Sequence, residues 1–133
     1  MNDIKKWIKI HEGLVLMPYK DTVNKWTIGY GRNIEDNGIS VTEADFMFDN
    51  DFNRCTKELV LYPWFTNQPV FIQYALLDMC FNLGIKRLLG FRKMIEAITV
   101  KDYTKAALEA LNSKWAEQVG DRAKDVALMM RQG

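Results

Sequence analysis

The sequence predicts an α+β fold: a small N-terminal lobe with a short antiparallel sheet, joined by a long helix to an all-helical C-terminal lobe. Three observations lead there. Between residues 16 and 34, short runs rich in Tyr, Trp, Thr and Ile are interrupted by Pro18, Asn24, Gly29 and Gly31, the punctuation of a hairpin sheet. Beyond residue 40, apolar residues recur at steps of three and four, the period of helices. The chain has 133 residues, 48% of them apolar, which is enough for one compact core and too few for two independent domains.

The elements follow in order. Ile4, Trp7, Ile8 and His11 form one stripe and predict a helix over 3–11, stopped by Gly13. Glu12 stands four residues after Ile8 and so extends that stripe. In the sheet region Asn24-Lys25 is the expected turn, because Asn tolerates the left-handed conformation. Asn37-Gly38 marks another. Ser40-Val41-Thr42-Glu43 has the form of a capping box, with Ile39 and Ala44 placed as its hydrophobic staple. The helix it opens runs to about Leu59, with Ala44, Phe48, Phe52, Cys55 and Leu59 on its apolar side. Pro63 and Pro69 bracket a break, and Val70 to Leu83 is apolar nearly all round, as in the centre of a bundle. Helices at about 91–98, 101–112, 113–118 and 121–131 complete the chain.

Composition narrows the chemistry. The net charge of +1 is neutral on nucleic acid as a partner, but its distribution is uneven. Residues 1–80 carry eight Lys/Arg against eleven Asp/Glu, and residues 81–133 carry ten against six. That basic half is either one wall of a cleft for an anionic polymer or simply a set of solvated helix faces. Cys55 and Cys80 sit among apolar residues and read as buried free thiols. One histidine leaves no zinc-site spacing, so no metal and no cofactor is expected. The N-terminus has no secretory apolar core, and no stretch reaches the length of a membrane span.

Glycosidic bond cleavage needs an acid that protonates the leaving oxygen and a second group serving the anomeric carbon from the other side. Glu12, at a helix C-terminus and beside the stripe of Ile4 and Ile8, is placed where burial and the helix dipole would favour a neutral carboxyl. Position alone nevertheless favours an exposed side chain fraying the helix end. Taken singly, Asp21 reads as a turn-capping residue and Thr27 as an ordinary β-branched strand residue.

Their context changes this. His11-Glu12-Gly13-Leu14, then Tyr19-Lys20-Asp21, then Trp26-Thr27-Ile28-Gly29-Tyr30-Gly31-Arg32-Asn33 form one pattern of about twenty residues. It resembles the phage-type lysozymes, the endolysin muramidases of the T-even phage kind, with E-G-x-x-L-x-x-Y-x-D followed by T-I-G-Y-G. The likeness continues through Ala75 to Gly84, and through Trp115, Gln118, Arg122 and Ala123, which match a W-x-x-Q-x-x-x-R-A signature.

The resemblance implies a lysozyme-like fold in a single domain over 1–133. Its lobes would cover roughly 12–60 and 61–133, with the N-terminal helix 1–11 packing on the second. It implies that Glu12 is the general acid, that Asp21 orients or deprotonates the attacking water, and that the Thr27 hydroxyl holds that water. Tyr30, Asn82, Gln118 and Arg122 would bind substrate, with Arg122 facing Glu12, while Trp115 is read as core packing. The implied activity is hydrolysis of the β-1,4 bond between N-acetylmuramic acid and N-acetylglucosamine in bacterial peptidoglycan, with inversion, leading to host cell lysis. The implied enzyme is a monomer that binds neither nucleic acid nor a membrane stably. It would stay in the host cytoplasm until a separate membrane-permeabilising protein lets it reach the periplasm and wall. One departure stands out: the family usually carries Gly in the turn between Asp21 and Thr27, where this chain has Asn24.

Three other readings compete. A lytic transglycosylase needs one Glu and no water, which leaves Asp21 and Thr27 without a role. An inactive wall-binding or protein-binding relative would have no use for all three residues together. A nucleic-acid binder calls for a basic stripe with interleaved aromatics, which the near-neutral charge does not support.

Overall fold

A computed structural model describes residues 2–133. The chain divides into two compact units, one ending at Phe46 and the other spanning Met47–Gly133.

The first unit opens with helix α1 (Asn2–Glu12). Strands β1 (Val15–Lys20), β2 (Trp26–Gly29) and β3 (Arg32–Asn33) follow, forming an antiparallel sheet in the order β1-β2-β3. In β1, Val15 pairs with Gly29 and Tyr19 with Thr27, and the register shifts between them. Pro18 lies in that interval, has no N–H for the ladder, and is tolerated because β1 is an edge strand. Thr27 pairs with Tyr19 on one side and Asn33 on the other, and this central position leaves it 3% exposed. The β1–β2 turn reverses at Asn24, whose φ of +63° is the left-handed conformation expected there. A four-residue helix, α2 (Ile34–Asn37), is capped by the Asn33 side chain and ends at Gly38.

Helix α3 (Val41–Leu59) contains the boundary between the units. Its start is the capping box read from the sequence: Glu43 N–H donates to Ser40 Oγ at 3.1 Å, and Ser40 N–H donates to Glu43 Oε1 at 2.8 Å. The expected apolar side of α3 is only half realised. Cys55 and Leu59 are buried, whereas Ala44, Phe48 and Phe52 are exposed.

The second unit is all-helical. Helices α4 (Pro63–Thr66), α5 (Val70–Leu83) and α6 (Ile85–Leu88) lead into α7 (Arg92–Thr99), α8 (Tyr103–Leu111), α9 (Lys114–Val119) and α10 (Asp121–Arg131). Helix α5 is central, burying Ile72, Ala75, Leu76, Met79, Cys80 and Leu83. Helix α10 packs against α5, α8 and α9, and α7 packs against α8. Alanines at 106, 107 and 110 of α8 and at 123 and 127 of α10 are fully or almost fully buried, and such small side chains allow close helix approach. Gln68 is the one buried polar residue described in this unit. Its amide donates to the Ile98 carbonyl at 3.1 Å and its oxygen accepts from the Tyr103 hydroxyl at 2.6 Å. Both cysteines are buried and free, and burial, helped by a hydrogen bond with Cys55, pushes the Cys80 thiol up to about 12. Among the described residues, no helix is long and apolar enough to cross a membrane.

Candidate active site

The site builds up from the β1–β2 turn. Asp21 follows β1 directly and is half-buried. Its Oδ1 accepts the backbone N–H of Val23 and that of Lys25, both at 2.9 Å. The Lys25 carbonyl in turn accepts the Asp21 N–H at 2.9 Å and the Thr27 hydroxyl at 2.9 Å. Asp21 and Thr27 are therefore both fastened to the backbone of Lys25, one through its N–H and both through its C=O. Asp21 is a turn-capping residue, as its position alone suggested, yet among the described residues only one carboxylate oxygen is used. Oδ2 remains an acceptor, and the Thr27 oxygen keeps acceptor capacity after donating its proton.

Salt bridges brace this turn from outside. Lys25 Nζ lies 3.2 Å from Asp36 and 3.4 Å from Glu35, and Lys20 Nζ lies 3.9 Å from Glu35. The hydrogen bond and charge of Asp36, then those of Glu35, hold the Lys25 ammonium above its ordinary range. Asn33 first, then Lys25, hold the Asp36 carboxyl below its own. Lys20 also lies over the Trp26 ring at 4.6 Å.

Glu12 is the last residue of α1, and Gly13 follows with φ +72°. The Glu12 carboxyl group lies against Gly31, on the turn after β2, in the space that a Cβ on Gly31 would occupy. Lys9 Nζ sits 5.1 Å from the centre of the Tyr30 ring, so α1 meets the β2–β3 turn at two points. Gly29 and Gly31 flank Tyr30 and both adopt positive φ, at +72° and +71°. Tyr30 itself is exposed. Arg32 then ties the sheet to the start of α3, through a two-pronged pair with Glu43 at 2.6 and 2.5 Å. That guanidinium, with the Ser40 hydrogen bonds, lowers the Glu43 carboxyl to about 2.

Of the two environments read for Glu12, burial beside the stripe is corrected and the exposed helix end is found. Glu12 is exposed and α1 buries none of its residues, with Ile4 and Ile8 each 50% exposed. The apolar stripe exists, but it does not enclose the carboxyl group.

The remaining predicted residues lie in the second unit. Asn82, near the end of α5, is exposed, and its Oδ1 accepts the Trp115 indole N–H at 2.9 Å. Its amide NH2 stays available. Trp115 is buried core, as read from the sequence. Gln118 is exposed on α9. Arg122, at the start of α10, has Asp78 as its partner: Nε donates to Oδ1 at 2.7 Å and Nη2 to the backbone carbonyl at 3.3 Å. Sequence reading missed Asp78, which stands 44 positions away with no periodic relation to Arg122. It also missed the contact of Gly31 with Glu12. The second glycine of G-Y-G was the available signal for that, although a glycine alone does not say what it makes room for.

The sequence profile of the family described as "Phage lysozyme" matches residues 9–132. The chain belongs to the phage lysozyme family. Its membership makes it an enzyme of the lysozyme class, a glycoside hydrolase. Two Dictyostelium discoideum proteins, "Probable T4-type lysozyme 1" and "Probable T4-type lysozyme 2", are each 26% identical to it over alignments covering all of this chain and 96% of each relative. The α+β architecture, a three-stranded sheet followed by helices, agrees with that membership.

Proposed function

We propose that this lysozyme hydrolyses the β-1,4 bond between N-acetylmuramic acid and N-acetylglucosamine in bacterial peptidoglycan, with inversion. Glu12 donates its proton to the glycosidic oxygen as the bond to the anomeric carbon breaks. A water held by Asp21 and Thr27 attacks that carbon from the opposite face and yields its proton to Asp21. Tyr30, Asn82, Gln118 and Arg122 contact the glycan, and lysis of a phage host follows once a separate permeabilising protein admits the monomeric enzyme to the wall.

The supporting observation is the shared anchoring of Asp21 and Thr27 on Lys25, whose hydrogen bonds leave acceptor capacity on each side chain. A lytic transglycosylase would have no use for such a pair. Digestion of purified peptidoglycan in H2-18O, followed by mass spectrometry, tests this directly. Reducing ends carrying one 18O are expected; 1,6-anhydromuramic ends without label would overturn the proposal. NMR of the first-formed anomer decides the stereochemistry, with the α-anomer expected from the β-linked substrate.

A further inference from the structure

A concave surface lies within the helical unit. It is an open pocket of about 580 Å3, within the range of roughly 300–1,000 Å3 typical of small-molecule sites. Four cationic residues line it, Arg87, Arg92, Lys93 and Lys114, against one acidic residue, Glu109. Among the described residues, none of the four takes part in a salt bridge. Like charges gathered around one concavity repel each other, and a bound anion relieves that repulsion.

The rest of the lining combines polar Asn112 and Ser113 with an apolar part. Leu83, Met94 and Trp115 line the pocket and are buried. The Phe91 ring stands edge-on to Trp115 at 6.1 Å, and the Trp115 indole is held by its bond to Asn82. Helix α7 starts at this wall without a side-chain cap, which adds partial positive charge to that of the side chains.

We propose that this pocket binds a phosphomonoester carried on a sugar. A phosphomonoester bears about −1.5 to −2 charges at neutral pH and three acceptor oxygens. It therefore answers an excess of three cations better than one carboxylate does, and guanidinium forks such as those of Arg87 and Arg92 suit its geometry. The pocket exceeds the volume of a bare phosphate, and its apolar floor suits the carbon face of a sugar ring. The proposal is independent of the hydrolytic mechanism, since Glu12, Asp21 and Thr27 do not line this surface.

The test is titration of the 15N-labelled full chain with glucose 6-phosphate at low ionic strength, beside glucose and succinate. Saturable amide shifts at Gly90, Phe91 and Lys93 are expected with glucose 6-phosphate. Glucose should give none, and succinate should bind about tenfold more weakly or worse. Arg92→Glu should weaken glucose 6-phosphate about tenfold or more, whereas Lys124→Glu, the same charge change outside the pocket, should alter it less than about twofold. Arg92→Gln guards against misfolding of the reversal variant and should weaken binding in the same direction. Three results would each overturn the proposal: no shifts at the pocket, equal losses in Arg92→Glu and Lys124→Glu, or succinate binding as tightly as the phosphate.

The source of the ligand is read by co-sedimentation with phosphorylated wall glycan before and after phosphatase. Phosphatase-sensitive binding that Arg92→Glu abolishes assigns a wall polymer. Glucose 6-phosphate binding without co-sedimentation assigns a free sugar phosphate.

Discussion

The carboxyl group of Glu12 occupies the space beside Gly31 that any other residue would fill with its Cβ. A proposed proton donor and a turn glycine, nineteen positions apart, are thereby fitted to each other.

Gly31→Ala and Gly29→Ala separate the two demands on this turn. Both glycines have φ near +70°, so alanine strains each backbone by a similar amount, on the order of 1 kcal/mol. Only at Gly31 does the new methyl collide with Glu12, whereas nothing lies within 4 Å of a Cβ on Gly29. The obstructing atoms are the far end of a flexible side chain, so the carboxyl group moves rather than the fold. Thermal melts should show comparable losses for the two variants. Peptidoglycan hydrolysis should fall about a hundredfold further in Gly31→Ala, the scale of a roughly 1 Å misplacement of a reacting group.

Asp21 caps its turn and is proposed to take the proton of the attacking water, and two substitutions pull these roles apart. Asn keeps an oxygen to accept the Val23 and Lys25 N–H groups but loses the negative charge, while Ala loses both. Asp21→Asn should melt close to the wild type yet lose about a hundredfold or more in kcat. Asp21→Ala should lose activity similarly and a further 1–2 kcal/mol or so of stability, as for loss of a cap. Urea unfolding and initial rates on the same preparations check both. Full activity in Asp21→Asn would leave the residue as a turn cap alone.

The pairing of Arg32 with Glu43 predicts a response to acid. The Glu43 carboxyl falls from 4.5 to about 2 in the fold. A depressed carboxylate stabilises the folded state above its unfolded value, and that stabilisation is lost as pH falls through the folded value. Circular dichroism should therefore show a contribution fully present above about pH 4.5 and declining toward pH 2. Glu43→Gln should make the decline in that window shallower, leaving the part due to the Asp36 carboxyl, which Asn33 and Lys25 also hold below its ordinary range.

Much of this organisation is legible in the sequence, for identifiable reasons. Helix α5 is a continuous apolar run and α7–α10 have apolar periods, all bounded by Pro, Gly, Asp or Ser, and they lie within about two residues of their expected limits. Ser40 and Glu43 announce the start of α3, and Asn24 announces the left-handed turn. Helices α2, α4 and α6 have four residues each, too few to express a period. Periodicity also tells which residues share a face but not whether anything covers it. For that reason Ile4, Ile8, Phe48 and Phe52 were expected to be buried and are exposed. In the site, the order Glu12, Asp21, Thr27 could be read directly, because local pattern carries it. The Lys25 backbone that joins the latter two, the contact of Glu12 with Gly31, and Asp78 beside Arg122 arise only once the chain has folded.

The most direct test is a zymogram on purified peptidoglycan with wild type beside Glu12→Gln, an isosteric change at an exposed position. The variant should retain the wild-type melting temperature and give no clearing, because a carboxamide cannot donate the proton that the leaving oxygen requires. Clearing by Glu12→Gln equal to that of the wild type would contradict the assignment of Glu12 as the acid, and with it the proposed mechanism.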